Sequence, residues 1–191
     1  MEELIASSSK SAEVIFPYLG GEDVNSHPTQ LPSRFVINFG RRTLEECQES
    51  PEHLAILENK VKGRRGQHST APWWQHERPR DDIYSRIHGR ARVLVQSRIS
   101  ANFSFCFVPT GSVYDIALNV FFYDDYAHFS VLQSRVHEVW ARFFGSSLED
   151  RLRYTPTDCF ETFPFPNVFS IHSDGGPSAN ELTSILVELE S

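Results

Sequence analysis

The feature that most restricts the fold is a stiff aromatic segment late in the chain. The stretch RYTPTDCFETFPFPN, residues 153–167, holds four aromatic residues and three prolines in fifteen positions. Each proline fixes its own φ and pushes the preceding residue towards extended geometry, so residues 163–166 cannot form a helix or a central strand. Burial of Phe160, Phe163 and Phe165 would remove several hundred Å2 of apolar surface from water, worth about 25 cal/mol per Å2. We therefore expect an extended Phe-Pro strap that packs across a core at the edge of a domain.

The length and composition of the chain indicate one folded domain with polar ends. The 191 residues suffice for a single domain with a sizeable core. We place that domain at 17–166, after a flexible lead at 1–16 and before a polar tail at 167–191, in which a short helix can start at Asn180. No apolar run reaches eighteen residues, and the acidic start MEELIASSSKSAEV is unlike a signal peptide. We therefore expect a cytoplasmic location and no membrane contact.

The order of predicted elements is typical of an α+β fold. Strands are expected at 33–40, 91–100, 102–109 and 117–124, the middle two as a hairpin. Helices are expected from Leu44, after a Thr43–Glu46 capping box, from Pro51 to Gly63, at 81–87, and at 127–144. The last of these is expected to bury one apolar stripe, formed by Val131, Leu132, Val136, Val139, Trp140 and Phe143. The order predicts a mixed β-sheet with helices packed on one face.

Positive charge is concentrated in the middle of the chain. The formal net charge is −7, yet residues 60–98 carry ten basic and three acidic side chains, a local excess of +7. Residues 1–59 and 99–191 carry −6 and −8. A local field, rather than the net charge, attracts a polyanion. The block therefore indicates either a nucleic-acid surface or a solvated basic face without a ligand.

The basic block also contains side chains that can stack on bases and hydrogen-bond to them. A long loop at 63–80 carries two tryptophans, and the alternation along 91–100 predicts a strand with one polar, basic face that could read a DNA groove. Arginine can read guanine, asparagine and glutamine can read adenine, and serine contacts phosphates. The candidate DNA-binding residues are Arg64, Arg65, Trp73, Trp74, Arg78, Arg80, Arg86, Arg90, Arg92, Gln96, Ser97, Arg98, Ser100 and Asn102.

Motifs for catalysis and metal binding are weak or absent. The chain contains no GxGxxG, GxxxxGK[ST], HExxH or GxSxG motif. Glu52, Glu58 and Lys60 have the residue types of a magnesium nuclease, but they fall on one predicted helix, whereas such carboxylates converge from separate elements. His128 and His137 are nine residues apart and cannot share one helical face as metal ligands. We expect no catalytic or metal-binding residue in this chain, and we expect Asp125 to cap a helix.

Several stretches, taken together and in order, resemble one family. PYLGGEDVN, RFVINFG, RVLVQSRIS and DDYAHFSVLQSRVHEVWARFFGSSLEDRLRYTPTDCFETFPFP resemble the target recognition region of MmeI-like restriction-modification enzymes and related adenine-specific DNA methyltransferases. The resemblance runs from about Pro17 to Pro166 and is most specific over its last forty residues. It implies a domain that lies against double-stranded DNA and selects the sequence in which an adenine is methylated.

The resemblance also implies what this chain lacks. A family methyltransferase domain would carry a glycine motif for S-adenosylmethionine and an Asn-Pro-Pro-Tyr-type motif, and this sequence has neither. The full-length enzymes use S-adenosylmethionine, and Mg²⁺ for cleavage, so we expect no cofactor in this chain. The expected function is a type II target recognition domain, not catalytic by itself, that works with a methyltransferase domain or subunit. Two alternatives stay open, an interaction module that docks on a separate methyltransferase subunit and a small Mg²⁺-dependent nuclease.

Overall fold

The chain divides into two compact units that alternate along the sequence. The computed structural model describes residues 11–66, 69–148 and 151–166. The first unit comprises Met1–Leu19, Pro32–Ser85 and Gly111–Val113, and the second comprises Gly20–Leu31, Arg86–Thr110 and Tyr114–Ser191. One domain was expected at 17–166, and residues of this range belong to both units. Of the expected lead, residues 11–16 are folded, since Val14 and Ile15 are buried, and the expected tail at 167–191 lies outside the described residues.

Short strands and helices make up both units. The strands of the described residues are β1 (Ile15–Leu19), β2 (Arg34–Ile37), β3 (Arg92–Ser97), β4 (Ile99–Ser100), β5 (Phe105–Pro109), β6 (Val113–Tyr114), β7 (Leu118–Phe121), β8 (Ser146–Leu148) and β9 (Arg151–Arg153). The α-helices are α1 (Gly21–Ser26), α2 (Leu44–Cys47), α3 (Pro51–Leu57), α4 (Asp81–Ile87), α5 (Tyr126–Leu132), α6 (Arg135–Phe144) and α7 (Pro156–Cys159). This is the expected mixture of helix and strand.

The described residues form three small sheets where one mixed sheet was expected. Their strand orders are β2-β1-β6, β5-β3-β7 and β4-β9-β8. The pairings of β1 with β2, of β3 with β5 and β7, and of β9 with β4 and β8 are antiparallel. The expected hairpin of 91–100 and 102–109 is present as β3 and β5, with Val93 opposite Val108. The stretch 91–100 is nevertheless split, because β4 leaves β3 and pairs with β9.

The first unit follows its local sequence closely. The Thr43 hydroxyl accepts a hydrogen bond from the Glu46 backbone N–H, and the Glu46 carboxylate accepts one from the Thr43 N–H, so the predicted capping box starts α2. Pro51 is the first residue of α3, which continues as a π-helical turn at Glu58–Lys62. Leu54 and Leu57 of this helix pack on the buried core formed by Val14, Ile15, Ile37, Phe39 and Cys47.

Strand β3 is the centre of the second unit and is buried on both faces. It lies between β5 and β7, and its last five residues are all buried. The expected polar, wet face of this strand is therefore wrong. A central strand covered on both faces has no solvent-facing side, whatever its sequence alternation.

The expected long helix at 127–144 is two helices, α5 and α6. Ser134 interrupts it, and the Ser134 hydroxyl accepts a hydrogen bond from the His137 N–H at 3.2 Å as the N-cap of α6. Asp125 caps α5 as expected, since its carboxylate accepts from the His128 N–H at 2.8 Å. The residues of α6 that are buried are His137 and Ala141. The expected buried stripe is wrong for Val136, Val139 and Phe143, which are 70%, 56% and 79% exposed.

The Phe-Pro strap packs on the second unit as expected. Phe160 and Phe163 are buried, whereas Phe165, which was also expected to be buried, is half-buried, and no helix or strand forms at residues 163–166. The Phe163 ring lies 4.5 Å from the His137 ring and 6.0 Å from that of Trp140, centroid to centroid. The Trp140 indole N–H donates to the Thr162 hydroxyl at 2.9 Å. The strap therefore covers the side of α6 that carries the buried His137.

Candidate nucleic-acid interface

The predicted DNA-binding residues are divided between the two units. Arg64, Arg65, Trp73, Trp74, Arg78 and Arg80 belong to the first unit, and Arg86, Arg90, Arg92, Gln96, Ser97, Arg98, Ser100 and Asn102 belong to the second. In the described parts of each unit, basic and acidic side chains are equal in number, nine of each in the first and eight of each in the second. A candidate interface therefore has to be identified from the exposed side chains of each unit by itself.

Two predicted residues of the first unit hold the 63–80 loop in place. The Arg65 guanidinium donates to the Ser69 hydroxyl at 2.6 Å and to the backbone oxygens of Pro72 and Gln75 at 2.6 and 2.8 Å. The Trp74 indole N–H donates to the Arg42 oxygen at 3.0 Å, and its ring packs against the core of this unit. These contacts tie the described residues of the loop, 63–66 and 69–80, to one another and to the core of the unit.

The rest of the loop presents charge and an aromatic ring to solvent. Arg64 and Arg78 are exposed, and Trp73 is half-buried. The Lys62 ammonium lies 5.2 Å from the centre of the Trp73 ring. Arg80, half-buried, has φ 58 directly before α4, and the Ile83 N–H donates to its backbone oxygen. Arg64 and Arg78 are thus the arginines of this set that lie at the surface, where phosphate contacts form.

Three predicted residues of the second unit are buried and hydrogen-bonded inside it. Gln96 and Ser97 are 2% and 4% exposed, and Ser100 is 7% exposed. The Asn119 amide donates to the Gln96 side-chain oxygen at 3.0 Å. Ser97 accepts from the Asn25 amide and donates to the Ile99 backbone oxygen. All three side chains are therefore buried and take part in hydrogen bonds within the unit.

Three arginines, on α4 and around the start of β3, contact aromatic rings, a backbone oxygen or a carboxylate. The Arg92 guanidinium lies 3.9 Å from the Phe107 ring centre and 4.6 Å from that of Tyr126. It also donates to the Asp124 backbone oxygen at 2.8 and 3.0 Å. Arg90 forms an ion pair with the Asp124 carboxylate at 3.2 Å, and Arg86 lies 5.7 Å from the Phe122 ring centre. These contacts give the three arginines a role in packing the second unit.

An exposed pair of arginines lies outside the predicted block. Arg151 and Arg153 are exposed and flank the buried Leu152 on β9. Ile99 and Ser146 are the cross-strand partners of Arg153, and both are exposed. We call the surface formed by Ile99, Ser146, Arg151 and Arg153 the β9 face. Sequence reasoning missed it because residues 99–191 are acidic overall, although the alternation Arg-Leu-Arg could have predicted a strand with one basic side.

Two predicted residues lie beside the β9 face. Asn102 is exposed in the turn that follows β4, where its backbone N–H donates to the Ser100 hydroxyl at 3.1 Å. Arg98 precedes β4, is half-buried, and approaches the Ile116 backbone oxygen at 3.5 Å. Because β4 pairs with β9, these two residues and the β9 face belong to one sheet and its margins.

The described residues show no metal centre. Across residues 11–66, 69–148 and 151–166 no group of three or more His, Cys, Asp or Glu side chains is placed to hold a metal ion. Glu52, Glu58 and Lys60 lie on one continuous helical stretch, and Glu58 is paired with Lys62 at 2.7 Å. Within the same residues, no helix is long and apolar enough to cross a membrane.

Comparison with known proteins gives a family. The family model described as "MmeI, target recognition domain" matches residues 1–167. This chain belongs to that family. The solved structure of the Type IIL restriction-modification enzyme MmeI in complex with DNA matches with a TM-score of 0.61 and 17% sequence identity, over 99% of this chain. The chain spans 29% of the MmeI chain in that structure. A search of curated proteins found no match.

Membership of the MmeI target recognition family confirms the resemblance that the sequence carries. The matched range, 1–167, contains both units in their described parts and ends at the Phe-Pro strap. At 17% identity, the likeness to MmeI shows a shared fold and gives no correspondence between individual residues. The DNA contacts of this chain therefore stay a prediction.

Proposed function

We propose that this chain is a DNA target recognition domain of an adenine-specific, type II restriction-modification methyltransferase, and that it is not catalytic by itself. The observation that carries the proposal is the family match over residues 1–167. The solved relative, MmeI, is in complex with DNA. Its much longer chain leaves room for methyltransferase and nuclease domains beyond the part that this chain matches.

The residues proposed to contact DNA are exposed polar ones together with two half-buried neighbours, Trp73 and Arg98. In the first unit they are Arg64 and Arg78 of the 63–80 loop, beside Trp73. In the second unit they are Arg151 and Arg153 of the β9 face, with Arg98 and Asn102 at its margin. Arginine pairs with phosphates or with guanine, and asparagine pairs with adenine. Gln96, Ser97, Ser100, Arg65 and Trp74 are not in this set, because their side chains are engaged inside the units.

The cofactors of the full enzyme belong outside this chain under the proposal. S-adenosylmethionine would occupy a methyltransferase domain or subunit, and Mg²⁺ a nuclease domain. The described residues offer no acidic cluster for Mg²⁺, and the sequence has no glycine motif for the nucleotide. Isothermal titration with S-adenosylmethionine is therefore expected to give no heat of binding. This chain would supply sequence selection and part of the DNA grip.

The test is selection of duplex DNA from a random library. The chain is incubated at low salt with randomised duplexes, and the bound fraction is recovered and sequenced over several rounds. A recognition domain enriches one short sequence, whereas a non-specific basic surface enriches none. Enrichment that requires an added methyltransferase subunit would instead support the interaction-module alternative. Arg64→Ala should weaken binding to selected and random duplexes equally, while Asn102→Ala should lose about 1–3 kcal/mol on the selected sequence if it reads a base.

A further inference from the structure

Two isoleucines of the second unit are exposed beside its basic residues. Ile116 lies in the turn between β6 and β7 and is 58% exposed, and Ile99, on the β9 face, is 37% exposed. Ile99 is the cross-strand partner of Arg153, one of the two exposed arginines of that face. Turn positions favour glycine, proline and short polar residues, so nothing in the turn itself calls for an isoleucine at position 116.

The pairing of β3 with β7 brings the turn to the β9 face. These strands are antiparallel partners, and the Arg98 N–H extends their pairing by donating to the Ala117 oxygen at 2.9 Å. The Arg98 guanidinium also approaches the Ile116 oxygen at 3.5 Å. One step further along an antiparallel register the neighbours are Ile99 and Ile116. The register therefore places the turn beside Ile99, and Ile116 extends the β9 face.

Hydrogen bonds fix the turn that carries Ile116. The Leu118 N–H donates to the Asp115 backbone oxygen at 3.0 Å, which closes a four-residue turn. The Asp115 carboxylate accepts from the Ala117 N–H at 2.8 Å, so the side chain of the turn's first residue braces its backbone. Isoleucine is β-branched and has few rotamers. A contact between this side chain and a partner therefore costs little conformational entropy.

Duplex DNA offers few apolar groups that such a side chain can meet. Phosphates are charged, and the base edges in the grooves are polar except for the 5-methyl group of thymine in the major groove. The flat faces of the bases become accessible only when a base step is unstacked, which has its own energetic cost. An exposed isoleucine beside arginines therefore matches a thymine methyl group that lies between phosphates.

We propose that Ile116 reads one thymine of the DNA target through its 5-methyl group, with Ile99 beside it and Arg153 at a neighbouring phosphate. This inference rests on the proposed function, since it requires the β9 face to lie on duplex DNA. Phosphate contacts position a protein without reading sequence, and the isoleucine adds selection at one base pair. Uracil pairs as thymine does but lacks the methyl group, which makes it the probe for this contact.

The test replaces thymine by uracil in the duplex that the parent chain selects from a random library. Each thymine is replaced singly, and fluorescence anisotropy at low salt gives dissociation constants for the full parent chain and for Ile116→Ala. For the parent, one replacement should weaken binding about fourfold, the effect of one buried methyl group. For Ile116→Ala the same replacement should have no effect, because the side chain that contacts the methyl group is gone.

Two further variants separate this contact from a general effect of apolar surface. Val139→Ala is the matched control, at a residue of α6 that is 56% exposed and is not part of the β9 face. It should keep the parent's preference for thymine at the sensitive position. Ile116→Val retains a β-branched apolar side chain and should keep most of that preference. Thermal unfolding of all three variants should match the parent, since each changes an exposed side chain.

The outcomes distinguish a failure of this inference from a failure of the proposed function. If the parent enriches no duplex, the domain does not select DNA and both fail. If it enriches a duplex without thymine, or if no uracil replacement affects the parent and Ile116→Ala differently, DNA selection stands and the thymine contact is wrong. The thymine contact is also wrong if Ile116→Ala weakens binding to every replaced duplex equally and 2-aminopurine in the site brightens only with the parent. Ile116 would then be a wedge that unstacks bases.

Discussion

Strand β3 and helix α6 lie in the same unit and differ in which side chains they bury: the strand buries polar ones, and the helix leaves apolar ones exposed. Strand β3 buries a glutamine and a serine, which are 2% and 4% exposed. Helix α6 leaves a phenylalanine 79% exposed. The buried polar groups are stable because Asn119 and Asn25 complete their hydrogen bonds, which removes most of the cost of burial. The exposed apolar groups have no such compensation in the described residues and form an apolar patch on the surface of the helix.

The comparison also separates two kinds of basic residue. Arg92 and Arg65 are enclosed by rings and carbonyl oxygens, so their charge is used to hold the protein together. Arg151 and Arg153 flank one buried leucine on a short strand and are exposed. The density of arginines in the sequence therefore does not locate a DNA surface, since burial decides which of them can meet a phosphate.

The largest expected effect comes from the buried side of α6. Phe163→Ala should lower the free energy of unfolding by about 3–5 kcal/mol, because it leaves a cavity against His137 and Trp140. The control is Ile116→Ala, at a residue that is 58% exposed, which should change stability by less than about 0.5 kcal/mol. Urea denaturation followed by circular dichroism measures both. Equal midpoints for Phe163→Ala and the parent would mean that the strap does not seal the core.

A smaller effect is expected at the polar centre of β3. Gln96→Leu should cost about 1–3 kcal/mol of unfolding free energy, because the buried Asn119 amide then keeps the Tyr154 backbone oxygen but loses its other acceptor, the Gln96 side-chain oxygen. Asn102→Ala, at an exposed residue of the same predicted set, should change stability by less than about 0.5 kcal/mol. The same denaturation experiment compares the two variants. If Gln96→Leu were as stable as the parent but bound DNA poorly, β3 would be a DNA-reading strand after all.

A third prediction concerns pH and the buried histidine of α6. Burial lowers the pKa of His137 from 6.5, an effect that hydrogen bonds to the backbone oxygens of Leu132 and Cys159 partly offset. His137 Nδ1 lies 2.7 Å from the Leu132 oxygen, and Nε2 lies 3.1 Å from the Tyr154 hydroxyl and 3.3 Å from the Cys159 oxygen. In the neutral ring, Nδ1–H donates to Leu132 and Nε2 accepts from Tyr154. Below about pH 6.5 the unfolded chain takes up a proton at this residue that the folded chain excludes. Stability is therefore full above that pH and falls as the pH drops further.

The measurement for this third prediction is the urea midpoint at pH 7.5 and at pH 5.5. The parent should lose stability at the lower pH. His137→Phe should be less stable overall but should lose less on acidification, because it has no ring to protonate. An unchanged pH dependence in this variant would assign the effect to another histidine.

Local sequence predicted the short-range features of the fold well. Thr43 and Glu46 cap α2, Pro51 starts α3, Asp125 caps α5, and the Phe-Pro strap is buried, because each of these depends on a few neighbouring residues. What could not be predicted depends on contacts distant in sequence. Nothing near Gln96 indicates that β3 lies between β5 and β7, or that Asn119 supplies its partner. Nothing near Val136 indicates that α6 packs through His137 and Ala141 instead.

The candidate site was predicted less well than the fold, for a related reason. The charge pattern along the sequence does not show which arginines are packed against other groups of the protein. In that pattern Arg92 looks no different from an arginine that is exposed to solvent. Arg151 and Arg153 were missed because the acidic residues around them in sequence outweigh them. Their exposure follows from the position of β9 in its sheet. It pairs with β8, which is adjacent in sequence, and with β4, which is about fifty positions away.

The most direct test of the DNA-binding account is the salt dependence of duplex binding by the Arg151→Ala/Arg153→Ala variant. Fluorescence anisotropy would give the dissociation constant at several salt concentrations for the parent, for this variant and for Arg135→Ala. Arg135 is an exposed arginine at the first position of α6 and is not part of the β9 face, so it serves as the matched control. If both arginines of the β9 face contact phosphates, the slope of log K against log salt should fall by about 1.8, since each lost contact contributes about 0.9. If the slope and the affinity of Arg151→Ala/Arg153→Ala were unchanged from the parent and no different from those of Arg135→Ala, the assignment of the β9 face to DNA would be contradicted.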